Sequence, residues 1–322
     1  MRYDYPDGGR NTVQPAPAPH SVHRMRFDVT EAAALGAAAH IAAELFLPGD
    51  RAPQLLLTCI PGGGMNSRYF DLPTPPGEEE VSFAQAMLAR GHAVLLIDPL
   101  GVGESSIPED GFLLHPDRMA ASHAMVVRQI LAGLRDGTLI EGRPPLPALR
   151  SIGVGHSMGA LLTIVQQATD PMHDALALFG FHTGGLPAQL GEADIGLDPV
   201  DTRARLIALS RTRFPDPFIA LAPPPSSRPV SAATAIDRVY LTPSYMAMLP
   251  GMISADAAAI AVPVLIALGD GDLHAEPHRM PAAYSGSSDI TLLVLPDTRH
   301  NHFIYPSRTR FFDRVARWAE AL

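Results

Sequence analysis

SIGVGHSMGA, residues 151–160, is the most informative segment of this chain. Its apolar start predicts a strand, its Gly-x-Ser-x-Gly centre predicts a tight turn, and the run ALLTIV that follows predicts a helix. In such a turn the serine is forced into strained backbone geometry, and Gly155 and Gly159 leave room where a Cβ atom would clash. The pattern is typical of a nucleophile elbow that holds Ser157 Oγ at the carboxyl end of a strand. The alternative is an ordinary glycine-rich turn.

Length and composition exclude several classes of protein. A chain of 322 residues, 47% hydrophobic and 18% charged, suits one large α/β domain with an insertion. Its formal charge of −9 argues against a nucleic-acid partner, because no basic surface is available to neutralise phosphates. The sequence contains no lysine, which excludes a Schiff-base lysine, a pyridoxal-phosphate anchor and a P-loop lysine. We expect no cofactor.

The number of cysteines and the length of the apolar segments give information on the cellular compartment of the protein. Cys59 is the only cysteine, so a disulfide within the chain and a cysteine-rich zinc site are excluded. No segment approaches the ~18 apolar residues of a membrane span. Residues 1–21 are polar, rich in proline and glycine, and lack the apolar core of a signal peptide. We therefore expect a flexible lead-in there and a cytoplasmic protein.

Apolar runs bounded by turn residues alternate along most of the chain and predict alternating strands and helices. The predicted strands are 24–29, 40–47, 54–60, 93–97, 150–154, 175–179, 262–268 and 290–295. The predicted helices are 81–90, 118–135, 158–168, 277–284 and 308–321. The later strands are almost continuous in aliphatic residues, as burial on both faces of a parallel sheet requires. The fold class is therefore α/β: a doubly wound, mostly parallel sheet of eight strands, with the first two strands as an antiparallel edge.

Residues 182–257 interrupt the alternation with prolines and scattered apolar side chains. A segment of that length between two strands predicts a cap or lid insertion with helices of its own. The core is then formed by residues 22–181 and 258–322. Tyr245, Met246 and Met248 are candidate substrate-pocket residues, since methionine and aromatic side chains suit an adaptable apolar roof. The alternative is that they only pack the cap onto the core.

A serine nucleophile needs a base, and the base needs an orienting acid. Ligands collect at the carboxyl ends of strands in such sheets, so the partners of Ser157 should follow later strands. Asp270 and Asp272 follow the seventh predicted strand, and His300 and His302 follow the eighth. The chain order serine, acid, histidine is that of the α/β-hydrolase triad.

With these motifs the chain resembles the α/β-hydrolase superfamily, in its serine hydrolase branch, over residues 25–322. The resemblance is carried by IPGGG at 60–64, DPLGVGES at 98–105, the segment 151–160 and the two carboxyl-terminal loops. It implies the α/β-hydrolase fold and an esterase-like or lactonase-like activity. The aspartate-glycine turn at 98–105 is common across the family, so it supports the fold rather than a substrate.

The resemblance also implies a choice within each loop. Family members commonly show Gly-x-x-Asp after the seventh strand, which favours Asp272 as the acid and keeps Asp270 in reserve as a turn-forming carboxylate. The family usually has the histidine a few residues past the last strand, which favours His300, the nearer of the two, as the base. His302 is then the reserve base, or a pocket or structural residue.

The oxyanion hole requires two backbone N–H donors. One is expected from Met158 at the start of the helix after the elbow, and the other from the glycine-rich loop after the third strand. Gly63 is our candidate there and Gly64 the reserve. Many relatives carry histidine at the position of Pro61, so the chain departs from the family pattern at that point.

The resemblance implies hydrolysis of a carboxylic ester or lactone of medium-sized hydrophobic character through an acyl-enzyme, with water as second substrate. Ser157 argues against the dehalogenase and epoxide hydrolase branches, which have aspartate at that position. The alternatives are the same triad acting on a C–C, amide or thioester bond, an acyltransferase, and a non-catalytic ligand-binding protein on this fold. We expect no metal, because no His-x-x-x-His pair falls in a clear helix. The sequence makes no prediction of oligomeric state.

Overall fold

A computed structural model describes residues 20–49, 51–74, 77, 79–186, 247–273 and 276–322. Within them lies one eight-stranded sheet of order β1-β2-β4-β3-β5-β6-β7-β8. Its strands are β1 His20–Asp28, β2 His40–Pro48, β3 Leu55–Ile60, β4 Ala93–Ile97, β5 Arg150–His156, β6 Ala175–Phe179, β7 Val264–Gly269 and β8 Ile290–Leu295. Strands β3 to β8 pair in parallel, while β1 and β2 form the antiparallel edge. The predicted fold class is confirmed.

Helices cover both faces of the sheet. The described α-helices are α1 Thr30–Ala33, α2 Phe83–Ala89, α3 Pro116–Asp136, α4 Met158–Thr169, α5 Ser254–Ala259 and α6 Arg308–Glu320. Short 3₁₀ turns occur at Ser67–Phe70, Gly111–Leu113, Pro277–Ala283 and His302–Ile304. Among the described residues, no helix is long and apolar enough to cross a membrane.

Two apolar clusters fill the space between sheet and helices. One contains Met119 of α3, Leu161 of α4 and Ala257 of α5. The other contains Phe83 of α2 and Phe311 of α6. The central strands are buried along their whole length because both of their faces contribute side chains to these clusters. Packing on both faces of the sheet fixes the positions of the strand ends, where the site lies.

Apart from shifts of one or two residues at element ends, two predicted elements differ from the structure. β1 begins at His20, so the last two residues of the predicted lead-in belong to a strand, where Ser21 pairs with Leu47. Polar residues on an edge strand give little hydrophobic signal, although their backbone groups still pair. The predicted helix 277–284 is a 3₁₀ turn, because Pro281 inside it has no N–H to donate.

The predicted cap is described only at its two ends. Residues 187–246, which include the pocket candidates Tyr245 and Met246, lie outside the described residues. The two ends are joined by backbone hydrogen bonds from Leu186 to Met248 (2.8 Å) and from Gly251 to Thr183 (2.9 Å). The pocket candidate Met248 is buried at this junction. Helix α5 spans the boundary predicted at residue 257 and contributes to the core.

Candidate active site

The turn between β5 and α4 has the strained geometry expected of a nucleophile elbow. Ser157 has φ 54° and ψ −121°, a conformation that residues with a side chain rarely adopt. A Cβ added to Gly155 would lie 2.5 Å from Ala160 Cα, and one added to Gly159 would lie 2.1 Å from the Ile60 carbonyl oxygen. Only glycine fits at either position, so the sequence motif is a packing requirement of this turn.

The structure brings together the three residues that sequence analysis selected. His300 Nε2 lies 3.0 Å from Ser157 Oγ, and His300 Nδ1 lies 2.8 Å from Asp272 Oδ1. The side chain of His300 is 4% exposed and that of Asp272 is fully buried. Because a carboxylate only accepts, His300 donates from Nδ1 and its Nε2 is left to accept the serine proton. The arrangement suits removal of the Ser157 proton by an oriented imidazole.

Asp272 is held as a carboxylate by its neighbours. Burial alone would raise the pKa of Asp272, but charge interactions and hydrogen bonds with His300 and His302 hold that pKa well below its usual range. The backbone N–H of Leu273 also donates to Asp272 Oδ1 at 2.7 Å. A negative charge at this position stabilises an imidazolium formed on His300.

The reserve candidates His302 and Asp270 make contacts that differ from those of His300 and Asp272. His302 Nε2 lies 2.9 Å from Asp272 Oδ2, on the opposite side of the carboxylate from His300. Asp270 is exposed and accepts backbone N–H groups from Asp297 (3.0 Å) and Thr298 (3.1 Å), which lower its pKa. Asp270 therefore ties the loop after β7 to the loop after β8, as a turn-forming carboxylate does.

His156 supports His300 from the elbow. Its Nε2 donates to the carbonyl oxygen of His300 at 2.9 Å. Burial lowers the pKa of His156 well below its ordinary value, so the ring is neutral. Tyr69 packs on the same ring, with centroids 4.6 Å apart. A Cβ on Gly180, whose φ is +60°, would lie 3.2 Å from the His300 ring.

Sequence reasoning missed Tyr69 and Gly180. A glycine directly after a buried strand, as Gly180 follows β6, is the one available signal of such a close approach.

The glycine-rich loop after β3 lies against the elbow. A Cβ on Gly62 would be 3.2 Å from Ser157 Cβ, and the N–H of Met65 closes the loop onto the Gly62 carbonyl at 3.1 Å. Gly64 has φ +72°, which favours glycine there. Gly63 stands exposed at the tip of this turn. Met158 is the first residue of α4, at the positive end of that helix dipole.

The aspartate-glycine turn after β4 anchors the same region. Asp98 accepts the backbone N–H of Ser67 through Oδ1 and that of Glu104 through Oδ2, both at 2.8 Å. A Cβ on Gly103 would lie 2.1 Å from Asp98 Oδ2. Ser67 begins the 3₁₀ turn just after the glycine-rich loop, so Asp98 fixes where that loop ends.

The part of the chain that the structure describes contains no group of three or more histidine, cysteine, aspartate or glutamate residues able to hold a metal ion.

A sequence model of the Alpha/beta hydrolase family matches residues 59–314. No curated protein matches the chain significantly. Several crystal structures share its fold. A bromoperoxidase from Bacillus anthracis is 15% identical over 92% of this chain and 100% of its own (TM-score 0.61). A peroxisomal alpha-beta-hydrolase from Saccharomyces cerevisiae is 12% identical over 94% and 89% (TM-score 0.60). A thermophilic esterase from Thermogutta terrifontis is 16% identical over 93% and 98% (TM-score 0.59). At these identities the likeness concerns the fold alone.

Proposed function

Because the chain belongs to the alpha/beta hydrolase family, we propose that this hydrolase is a serine enzyme that cleaves a carboxylic ester or lactone through an acyl-enzyme on Ser157. The observation that carries the proposal is a pair of successive hydrogen bonds, which link Ser157 Oγ to His300 and His300 to the buried carboxylate of Asp272. The strained elbow adds support, because such strain persists where the surrounding structure holds it in place.

In the proposed reaction His300 Nε2 takes the proton of Ser157 as Oγ attacks the acyl carbon. The carbonyl π electrons move onto the oxygen, and the amides of Gly63 and Met158 donate to the resulting oxyanion. As the intermediate collapses, the C–O bond to the alcohol breaks and the alkoxide takes the proton from His300. An acyl ester of Ser157 and a free alcohol remain; in a lactone the alcohol stays attached to the acyl chain.

Deacylation repeats these steps with water. His300 takes a proton from the water as the water oxygen attacks the acyl carbon. Ser157 Oγ then leaves and takes that proton from His300. Asp272 stabilises the imidazolium in both halves of the cycle. One water is consumed; an ester releases one carboxylic acid and one alcohol, and a lactone releases a single hydroxy acid.

We propose a medium-sized hydrophobic acyl group as the substrate class, with residues 182–257 as a cap above the site. This part of the proposal rests on the composition of that segment, which is rich in proline and carries scattered methionine and aromatic residues. Met248, buried beside the ends of the segment, is the described member of the candidate pocket.

A panel of p-nitrophenyl esters of rising acyl length, together with several lactones, tests the proposal on the wild type and on Ser157→Ala. We expect kcat/KM to rise with acyl length to a maximum, and Ser157→Ala to lose nearly all turnover. Undiminished ester turnover in Ser157→Ala would contradict the acyl-enzyme. Equal rates across the panel would contradict the apolar pocket and leave the serine mechanism standing.

A further inference from the structure

The carboxylate of Asp272 is held by an imidazole on each of its two oxygens. His300 Nδ1 lies 2.8 Å from Oδ1 and His302 Nε2 lies 2.9 Å from Oδ2. The side chains of Asp272 and His302 are both fully buried. A serine hydrolase mechanism requires the first of these contacts and gives no role to the second.

The backbone brings the two rings to one carboxylate. The N–H of His302 donates to the carbonyl oxygen of His300 at 3.1 Å, which folds the chain back over a single intervening residue. His302 then begins the 3₁₀ turn His302–Ile304. Side chains two residues apart point to the same side of an extended chain, and the turn brings the two rings closer together, so that both reach Asp272.

The contacts of His302 show which ring nitrogen donates to the carboxylate. Its Nε2 must carry a proton, because the ionised carboxylate of Asp272 can only accept. Its Nδ1 is buried and has no hydrogen-bond partner among the described residues. The N–H at Nε2 therefore points at Asp272 Oδ2.

We infer that His302 is a positioning residue for the reaction proposed above: it fixes the rotation of the Asp272 carboxylate so that Oδ1 stays aligned with His300 Nδ1. The inference rests on the proposed serine mechanism. His302 acts through Asp272, while His300 accepts the hydrogen bond from Ser157 Oγ.

Asp272 needs a second hydrogen-bond donor because the two oxygens of a carboxylate are equivalent. Rotation about the Cβ–Cγ bond of Asp272 would exchange or misalign its oxygens, and Oδ1 already accepts from both Leu273 and His300. A donor on Oδ2 removes that freedom and satisfies an oxygen that is closed off from solvent. A misplacement of about 1 Å at a catalytic group can reduce the rate about 100-fold, so loss of this alignment has a measurable effect.

Two substitutions of His302 distinguish the effect of side-chain length from the effect of side-chain polarity. In His302→Gln the side-chain amide can bring an N–H close to where Nε2 lies, which keeps a donor on Asp272 Oδ2. In His302→Asn the same amide is one bond shorter and falls short of the carboxylate. The two variants carry the same functional group, so they differ chiefly in whether Oδ2 keeps its donor.

The readout is the rate of phosphonylation by a fluorophosphonate probe, which reports nucleophile activation without knowledge of the natural substrate. The maximal inactivation rate and the probe concentration at half-maximal rate are measured separately, at a temperature where thermal unfolding shows each variant to be folded. We expect His302→Asn to lower the maximal rate about 10- to 100-fold with little change in the half-maximal concentration. We expect His302→Gln to recover most of that loss.

The outcomes are distinct. Equal maximal rates for wild type and His302→Asn, with only a lower melting temperature in the variant, would overturn the positioning role and leave His302 as a structural residue. A loss in His302→Gln as large as in His302→Asn would also overturn it. Failure of the wild type to react with the probe at all would instead reject the proposed serine mechanism.

Discussion

We expect His123 on α3 to make the stability of this protein sensitive to mild acid. The side chain is fully buried, and neither ring nitrogen has a hydrogen-bond partner among the described residues. Burial alone lowers the pKa of His123 from 6.5 to about 3. The folded state therefore holds a neutral ring at a pH where the unfolded chain takes up a proton, and acid favours unfolding.

The size of the effect follows from the two pKa values. The folded pKa lies below the unfolded one, so the stabilisation is fully present above pH 6.5 and is lost as the pH falls from 6.5 toward 3. Each pH unit in that window costs about 1.4 kcal/mol. Between pH 7 and pH 5 His123 alone is expected to lower the free energy of unfolding by about 2 kcal/mol. His173, whose pKa burial also lowers to about 3, adds a similar amount.

Substitution His123→Leu removes the titrating ring and keeps an apolar side chain of comparable size. Urea unfolding followed by circular dichroism at pH 7 and pH 5 gives the free energy of unfolding for the wild type, for His123→Leu and for the exposed control His278→Leu. We expect the loss between pH 7 and pH 5 to be about 2 kcal/mol smaller in His123→Leu than in the wild type. The control is expected to lose as much as the wild type.

If His123→Leu and the wild type lost the same free energy of unfolding between pH 7 and pH 5, burial of His123 would not be the cause of the acid sensitivity. That result would mean that the His123 ring is hydrated or hydrogen-bonded in solution. At pH 7 we expect His123→Leu to be at least as stable as the wild type, because no described hydrogen bond is removed.

Two further predictions concern the site itself. Asp272→Asn is expected to lower the probe reaction rate by about 10⁴, because an amide can donate to His300 and favour the wrong tautomer; a loss below tenfold would argue against Asp272 as the orienting acid. Gly159→Ala is expected to lower the free energy of unfolding by about 3 kcal/mol, since its Cβ would meet the Ile60 carbonyl oxygen at 2.1 Å. The matched control is Gly111→Ala, where the added Cβ meets nothing within 4 Å. Urea unfolding is expected to show little change in its free energy of unfolding. Equal stability of the two glycine variants would contradict the packing argument.

The sheet and the elbow were predictable because their signals are local. Continuous aliphatic strands imply burial on both faces, and the spacing of Gly155, Ser157 and Gly159 encodes a turn that only glycine allows. The choice of Asp272 and His300 drew on the resemblance and on chain order. The contacts found between their side chains agree with that choice, and their catalytic roles remain proposals.

The contacts of His302 and His156 were beyond sequence reasoning. Two histidines separated by one residue are expected on the same side of an extended chain, but that spacing does not predict that both contact one carboxylate. The turn closed by the His300 carbonyl oxygen brings both rings to Asp272. The same carbonyl oxygen accepts from His156, which is 144 residues away along the chain. Such long-range contacts depend on how two loops meet, and no periodicity in either loop encodes that.

The proposed mechanism depends above all on Ser157 being an activated nucleophile. The most direct measurement is the intact mass of the folded protein after reaction with a fluorophosphonate, followed by peptide mapping of the adduct. We predict one phosphonyl group per chain, attached to Ser157, and no adduct in Ser157→Ala. An unmodified wild type, or an adduct that persists in Ser157→Ala, would contradict the claim.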